Sequence, residues 1–295
     1  MNSGLKSKGI GHRAFTVINT LLMLALSAVC LFPVIHILSV SLSDQAAVAA
    51  NEVNLLPVGF TLASYKVVAK RAAFWNAFGV SVERVILGVL INTVLTVLMA
   101  YPLSKSEMKF RARRYYVWIL IFVMVFDGGL IPNYILVKDL GLFDTIWALV
   151  LPGAVPIYNI ILCMNFMKQL PDTIEEAAMV DGASYFQRFI RIVLPLSKPV
   201  IATVTLFSFL SHWNSWFDGK IYNNKSVHYP LQTYLQNLIS NSDMTNASDA
   251  IENALSNVKT LQAAQLFLTL LPILLIYPFL QKYFTKGLTI GAVKG

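Results

Sequence analysis

Three groups of side chains in this 295-residue sequence sit where they could do chemistry. Trp213, Asn214 and Trp216 lie within four residues of one another. Indole faces stack on sugar rings and a carboxamide bonds hydroxyls, so the trio fits a carbohydrate path; the two tryptophans equally fit the aromatic belt of a membrane interface. Asp127 is an acid in an apolar run and is followed by Gly128 and Gly129. Three tasks suit it: an ion-coupling carboxylate of a secondary transporter, a residue facing an outer vestibule where the glycines break the helix, or a cap for the next segment. The third group is acidic, with Asp172, Glu175, Glu176 and Asp181 in the stretch PDTIEEAAMVDG. Asp172 and Glu175 have the spacing of a capping box, which predicts a short helix from Thr173 to near Gly182, a residue suited to a positive-φ C-cap. Ala177 and Ala178 at its middle let another surface approach closely, and Glu175 and Glu176 form a charged shoulder. Ser184 and Gln187 repeat the capping-box spacing and predict a second helix over Tyr185 to Val193, separated from the next apolar block by Pro195 and Pro199. Such a pair fits a rigid lever on a loop, and also an amphipathic segment lying on lipid.

Enzyme chemistry finds no support in the motifs. The sequence has no GxxxxGK[ST] phosphate cradle, no HExxH, no GxSxG elbow and no paired ligand spacing among His12, His36, His212 and His228. Cys30 and Cys163 both fall in apolar blocks, which excludes a disulfide framework and a cysteine zinc site. No metal or cofactor is therefore expected on this chain.

The elements that must position these groups follow from composition. The chain is 56% apolar and 13% charged, with a mean hydropathy of +0.63, against roughly 45–50% and 25% in soluble domains. Long uninterrupted apolar blocks make it an all-α polytopic membrane protein. Six blocks approach the roughly 20 residues needed to cross a hydrocarbon core about 30 Å thick: 14–42, 85–104, 115–137, 142–167, 199–217 and 264–284. They make 14–284 the membrane domain, between a basic N-terminus, 1–13, and a tail, 285–295. The loop 168–198 carries the acidic group.

Lys and Arg divide unevenly between the two sides. The segments 1–13, 105–114, 168–198 and 282–294 hold fifteen of them and the opposite segments seven, with Arg84 at a boundary. The basic side is cytoplasmic by the positive-inside rule, so both termini are expected in the cytoplasm. The net charge of +8 then reads as a topology signal and an anchor for anionic headgroups, and not as nucleic-acid binding. Two long loops, 43–79 and 218–261, fall outside.

The segment Glu176, Ala177, Ala178, three residues, Gly182, nine residues, Ile192, one residue, Leu194, Pro195 resembles the EAA loop of bacterial ABC importer permeases at every defining position. GFTLASYKVV, FDGGLIPNYILVKDLGLFDTIWALVLPGAVP, HWNSWFDG, YPLQTYL and the ending KGLTIGAVKG resemble the carbohydrate class, MalG-like, and are closest in wording to permeases for complex polysaccharide fragments. The resemblance implies the type I importer permease fold with six transmembrane helices in the bacterial cytoplasmic membrane. It implies coupling of Glu175, Glu176, Ala177, Ala178, Asp181 and Gly182 to a separate ATPase, with Lys294 in a tail that reaches the ATPase interface. The partners implied are a homologous second permease, two ATPase subunits that carry ATP and Mg, an external solute-binding protein and an oligosaccharide. A non-sugar solute, or ion-coupled secondary transport, are the alternatives.

Overall fold

The computed structural model describes residues 10–242 and 258–278, and all regular elements among them are helical. Expectations for 1–9, for 243–257, for the end of the sixth block and for the tail with Lys294 lie outside the described residues. The described chain divides into two compact units, one formed by the residues up to 70 with part of 239–270, the other by 71–238 with 271–278.

In the first unit, α1 (Ile10–Ser41) is a continuous apolar helix. Thr16, Thr20 and Ser27 return their hydroxyls to the carbonyls four residues earlier, each at 2.8 Å, so these three hydroxyls are satisfied within the helix as lipid requires. After it come α2 (Gln45–Ala49) and α3 (Ala63–Lys70). Asp44 caps α2 by accepting from the Ala46 amide at 3.2 Å. Tyr65 on α3 meets the Ser41 hydroxyl at 2.7 Å; burial pushes its phenol up and that hydrogen bond opposes the shift. The stretch 43–79, read from the sequence as a long outer loop forming either a small substructure or a solvated connection, is thus substantially helical.

The second unit is organised on α4 (Ala72–Ser104), a 33-residue helix that begins well before the predicted start of its apolar block. The next two blocks are broken, block three at the Asp127–Gly129 stretch that the sequence offered as a helix break and block four where a continuous span was expected. Block three forms α5 (Arg113–Val125) and α6 (Leu130–Asp139), bent by 112°. At the break Asp127 accepts from the Gly129 amide at 3.0 Å, and Gly129 adopts φ +87°. Block four forms α7 (Ile146–Val150) and α8 (Ile157–Met167), separated at Pro152, Gly153 and Pro156, where prolines lack the amides a helix needs. At 11 residues, α8 is roughly 16 Å long, about half a hydrocarbon core. The loop after it carries α9 (Asp172–Val180) and α10 (Tyr185–Arg188), which runs through a π turn, Phe189–Val193, into α11 (Leu194–Leu196). At Ser197 the chain bends by 77° into α12 (Lys198–Asn214). Beyond it lie α13 (Phe217–Tyr222), a 3-10 turn (Ser226–His228) and α14 (Leu231–Ser242); the end of α14 from Ile239 and the part of α15 (Val258–Pro278) up to Leu270 belong to the first unit. Among the described residues three helices are long and apolar enough to cross a membrane unbroken, or five segments if each bent pair counts as one.

Helices in lipid gain little from hydrophobic burial against one another, so close packing of small residues has to hold them together. The α4–α8–α12 contact fits this. Ala100, Val97, Cys163, Ile160, Val200 and Val204 are buried at its centre, and the hydroxyls of Thr93 and Thr205 meet at 3.3 Å. A β-carbon at Gly88 on α4 would stand 2.3 Å from the His212 ring on α12, so the helices approach this closely only because residue 88 has no side chain.

Candidate functional site

Two regions assemble polar side chains. The first is built around α9. Its predicted start differs in detail: the N-cap is Pro171, no side chain caps the helix, and Asp172 is its first residue. Its end is as expected. Gly182 has φ +79°, its amide donates to the Met179 carbonyl at 3.1 Å, and the Ala183 amide donates to Ala178 at 2.9 Å. This is the double-bonded glycine C-cap that satisfies orphan carbonyls. Two residues on, Ser184 and Gln187 close the predicted capping box, with bonds of 2.8 and 3.3 Å. Helix, glycine cap, capping box and second helix therefore form one stiff corner.

The corner is held by the basic loop after α4. Lys105 forms an ion pair with Glu175, and both side chains are largely withdrawn from water, 16% and 12% exposed. Lys105 also lies 4.5 Å over the Tyr101 ring. Lys109 reaches Asp172 at 3.6 Å and Glu176 at 3.7 Å, both pairs more exposed. Arg113 fixes the loop itself by donating to the Leu103 carbonyl at 2.8 Å. Glu175 thus faces inward while Glu176, Ala177 and Asp181 face out and Ala178 is half-buried. No residue of α9 is buried. Met179, Val180, Tyr185 and Phe186 stand exposed along the same corner, Val180 at 85%. In the sequence Lys105 and Lys109 count as topology charges alone; their recurrence four residues apart, ahead of an acidic helix, was the available signal.

The second region is a cavity of about 680 Å³ between α4, the α7–α8 break, α12 and α13. Arg84, 3% exposed, projects from α4 and forms an ion pair with Asp218 through both terminal nitrogens. Asp218 also accepts from the Ser215 hydroxyl and the Gly219 amide, each at 2.8 Å. Deeper in, the Asn92 amide donates to the carbonyls of Gly88 at 3.1 Å and Gly153 at 3.3 Å, and its oxygen accepts from His212 Nε2 at 3.3 Å. Asn159 donates to the Ser208 hydroxyl at 3.2 Å. Arg84 Nε and His212 Nδ1 are buried without a hydrogen-bond partner. None of these residues stands out in the sequence, because Arg84 and Asp218 are 134 positions apart and no local pattern joins them.

The residues expected along a solute path are not gathered here. Trp213 is 3% exposed and packs between Phe209, stacked at 6.0 Å, and Phe78, edge-on at 5.9 Å. Asn214 is exposed, and Trp216 is 38% exposed against the edge of Phe217. Asp127 lies exposed at the α5–α6 break, where its bond to Gly129 makes it a turn-former. Among the described residues, no cluster of three or more His, Cys, Asp or Glu side chains is placed to hold a metal ion.

Comparison with known proteins supplies the context. Residues 4–290 match the family described as binding-protein-dependent transport system inner membrane component. Protein LplC of Bacillus subtilis (strain 168) is 41% identical over 284 residues, 96% of each chain. The polygalacturonan/rhamnogalacturonan transport system permease protein YtcP of the same organism is 33% identical over 286 residues, 96% of this chain and 99% of that protein. Among solved structures, a chain of a bacterial ABC transporter involved in the import of the acidic polysaccharide alginate superposes with a TM-score of 0.83 at 32% identity, covering 94% of this chain and 98% of that one.

Proposed function

The chain belongs to the family of binding-protein-dependent transport system inner membrane components, and from that premise we propose that it is the permease subunit of an ATP-driven oligosaccharide importer. It forms half of a translocation pathway, crosses the membrane six times with both termini cytoplasmic, and pairs with a homologous second permease. Two ATPase subunits bind ATP and Mg, and an external binding protein delivers the solute. The names of similar permeases, for polygalacturonan/rhamnogalacturonan, arabinooligosaccharides and maltodextrin, support a carbohydrate solute.

One observation carries the mechanism: a stiff corner with no buried residue on its helix, bound to the body of the protein by Lys105 and Lys109. A lever needs a rigid working end and a firm attachment, and α9 has both. In this reading the exposed face with Glu176, Ala177, Met179 and Val180 enters a groove of the ATPase, while Glu175 transmits the displacement to α4 through Lys105. Closure of the ATPase dimer around ATP moves α9, and α4 with its packed partners α8 and α12 exposes the pathway outward. Hydrolysis reverses the movement. The coupling free energy between nucleotide and solute sites passes through this attachment. A cysteine at Val180 should cross-link to an ATPase groove cysteine in the assembled complex, and Glu176→Lys should lower solute-stimulated ATP hydrolysis and uptake together. Wild-type uptake with an uncross-linkable Val180 position would remove α9 from the coupling role.

A further inference from the structure

The cavity beneath the α7–α8 break makes a statement about which sugars suit it. Its volume, about 680 Å³, lies in the range of pockets that enclose small ligands. The polar lining includes hydroxyls (Ser208, Ser211), amides (Asn92, Asn159) and the His212 imidazole, with the Phe207 ring as an apolar face. The charged side chains lining it are Arg84 and Asp218, and they are consumed by one another. The cavity therefore carries no uncompensated cation.

The neutral hydroxyls and amides of this lining donate and accept, which matches a sugar hydroxyl. A carboxylate only accepts, and would bring a negative charge beside Asp218 with no free cation to offset it.

We propose that this cavity is a subsite for an uncharged, hydroxyl-bearing sugar unit and discriminates against uronate units, in contrast to the acidic polysaccharide named for the structural relative. This rests on the importer reading given above. The test uses the assembled importer in nanodiscs, without its binding protein, and equilibrium dialysis of matched disaccharides: galactobiose with digalacturonate, and cellobiose with its diuronate. In the wild-type complex the neutral member of at least one pair binds on the order of tenfold tighter than its uronate. Asp218→Asn adds one net positive charge and lowers that ratio by on the order of tenfold. Arg84→Gln combined with Asp218→Asn restores neutrality and the original preference. Ser211→Lys, at an exposed lining position, lowers the ratio without breaking the ion pair, so the outcome does not hang on how Asp218→Asn folds. A ratio near one in the wild type, a ratio unmoved by both charge-adding variants, or no binding by any of the four sugars overturns the subsite. ATP-dependent uptake by the same complexes in vesicles, with the binding protein added outside, separates the two readings: uptake with an unmoved ratio fails the subsite alone, whereas absence of uptake fails the importer reading.

Discussion

Breaking the Lys105–Glu175 pair loosens α9 by an amount the geometry bounds. Fully exposed ion pairs contribute about 0.2–1 kcal/mol, and removing one partner of a fully buried pair costs about 3–5 kcal/mol. With side-chain exposures of 16% and 12% the pair sits between these limits, and Lys105 keeps its place over Tyr101 after Glu175 is gone. About 2 kcal/mol is the resulting figure, or about 30-fold in a local opening equilibrium. Hydrogen exchange on the assembled complex reads this directly, at the Gly182 and Ala183 amides that close the C-cap. Glu175→Gln and Lys105→Met should each lower protection there by about 30-fold. The double variant should be no worse than either single one, because the interaction can be lost only once. Single effects below about twofold, or losses that add in the double variant, would refute the claim that this pair holds the lever.

The C-cap and the helix contact offer further tests. Gly182→Val places a β-branched residue at φ +79°, at a cost of at least about 1–2 kcal/mol; membrane insertion should be normal while solute-stimulated ATP hydrolysis and uptake fall together. Gly88→Ala puts a methyl group 2.3 Å from the His212 ring, and overpacking of this kind costs about 1–3 kcal/mol, so the purified complex should melt at a lower temperature and Asn92 should lose its bond to His212. For topology, cysteines at the exposed positions Ser226 and Ser106 should react with an impermeant thiol reagent only from outside and only from inside, respectively; the reverse pattern would invert the orientation.

The loop holding α9 and α10 was legible almost residue by residue, because caps and glycine stops act within four or five positions. Even there, Asp172 and Glu175 looked like a capping box, yet Lys105 on another segment takes Glu175, and a tertiary ion pair is invisible to local spacing. The apolar blocks were legible as membrane segments, whereas their breaks were only partly so: Asp127 to Gly129 marks one, but Pro152, Gly153 and Pro156 are hidden inside an apolar run. Trp213 suited a sugar path or a membrane interface by its type, but Phe209 one helical turn earlier and Phe78 from α4 enclose it. The cavity could not be read at all. Its residues come from three separate regions of the chain, and only the folded contact of α4 with α12 brings Arg84, His212 and Asp218 together.

In the proposed mechanism a separate ATPase drives transport through this chain. The most direct measurement is oligosaccharide uptake into proteoliposomes holding the purified complex, with the binding protein on the outer side and ATP supplied on the ATPase side. Uptake should require ATP and the ATPase subunits, and should be indifferent to imposed proton or sodium gradients. Uptake driven by an ion gradient with the ATPase subunits omitted would contradict it.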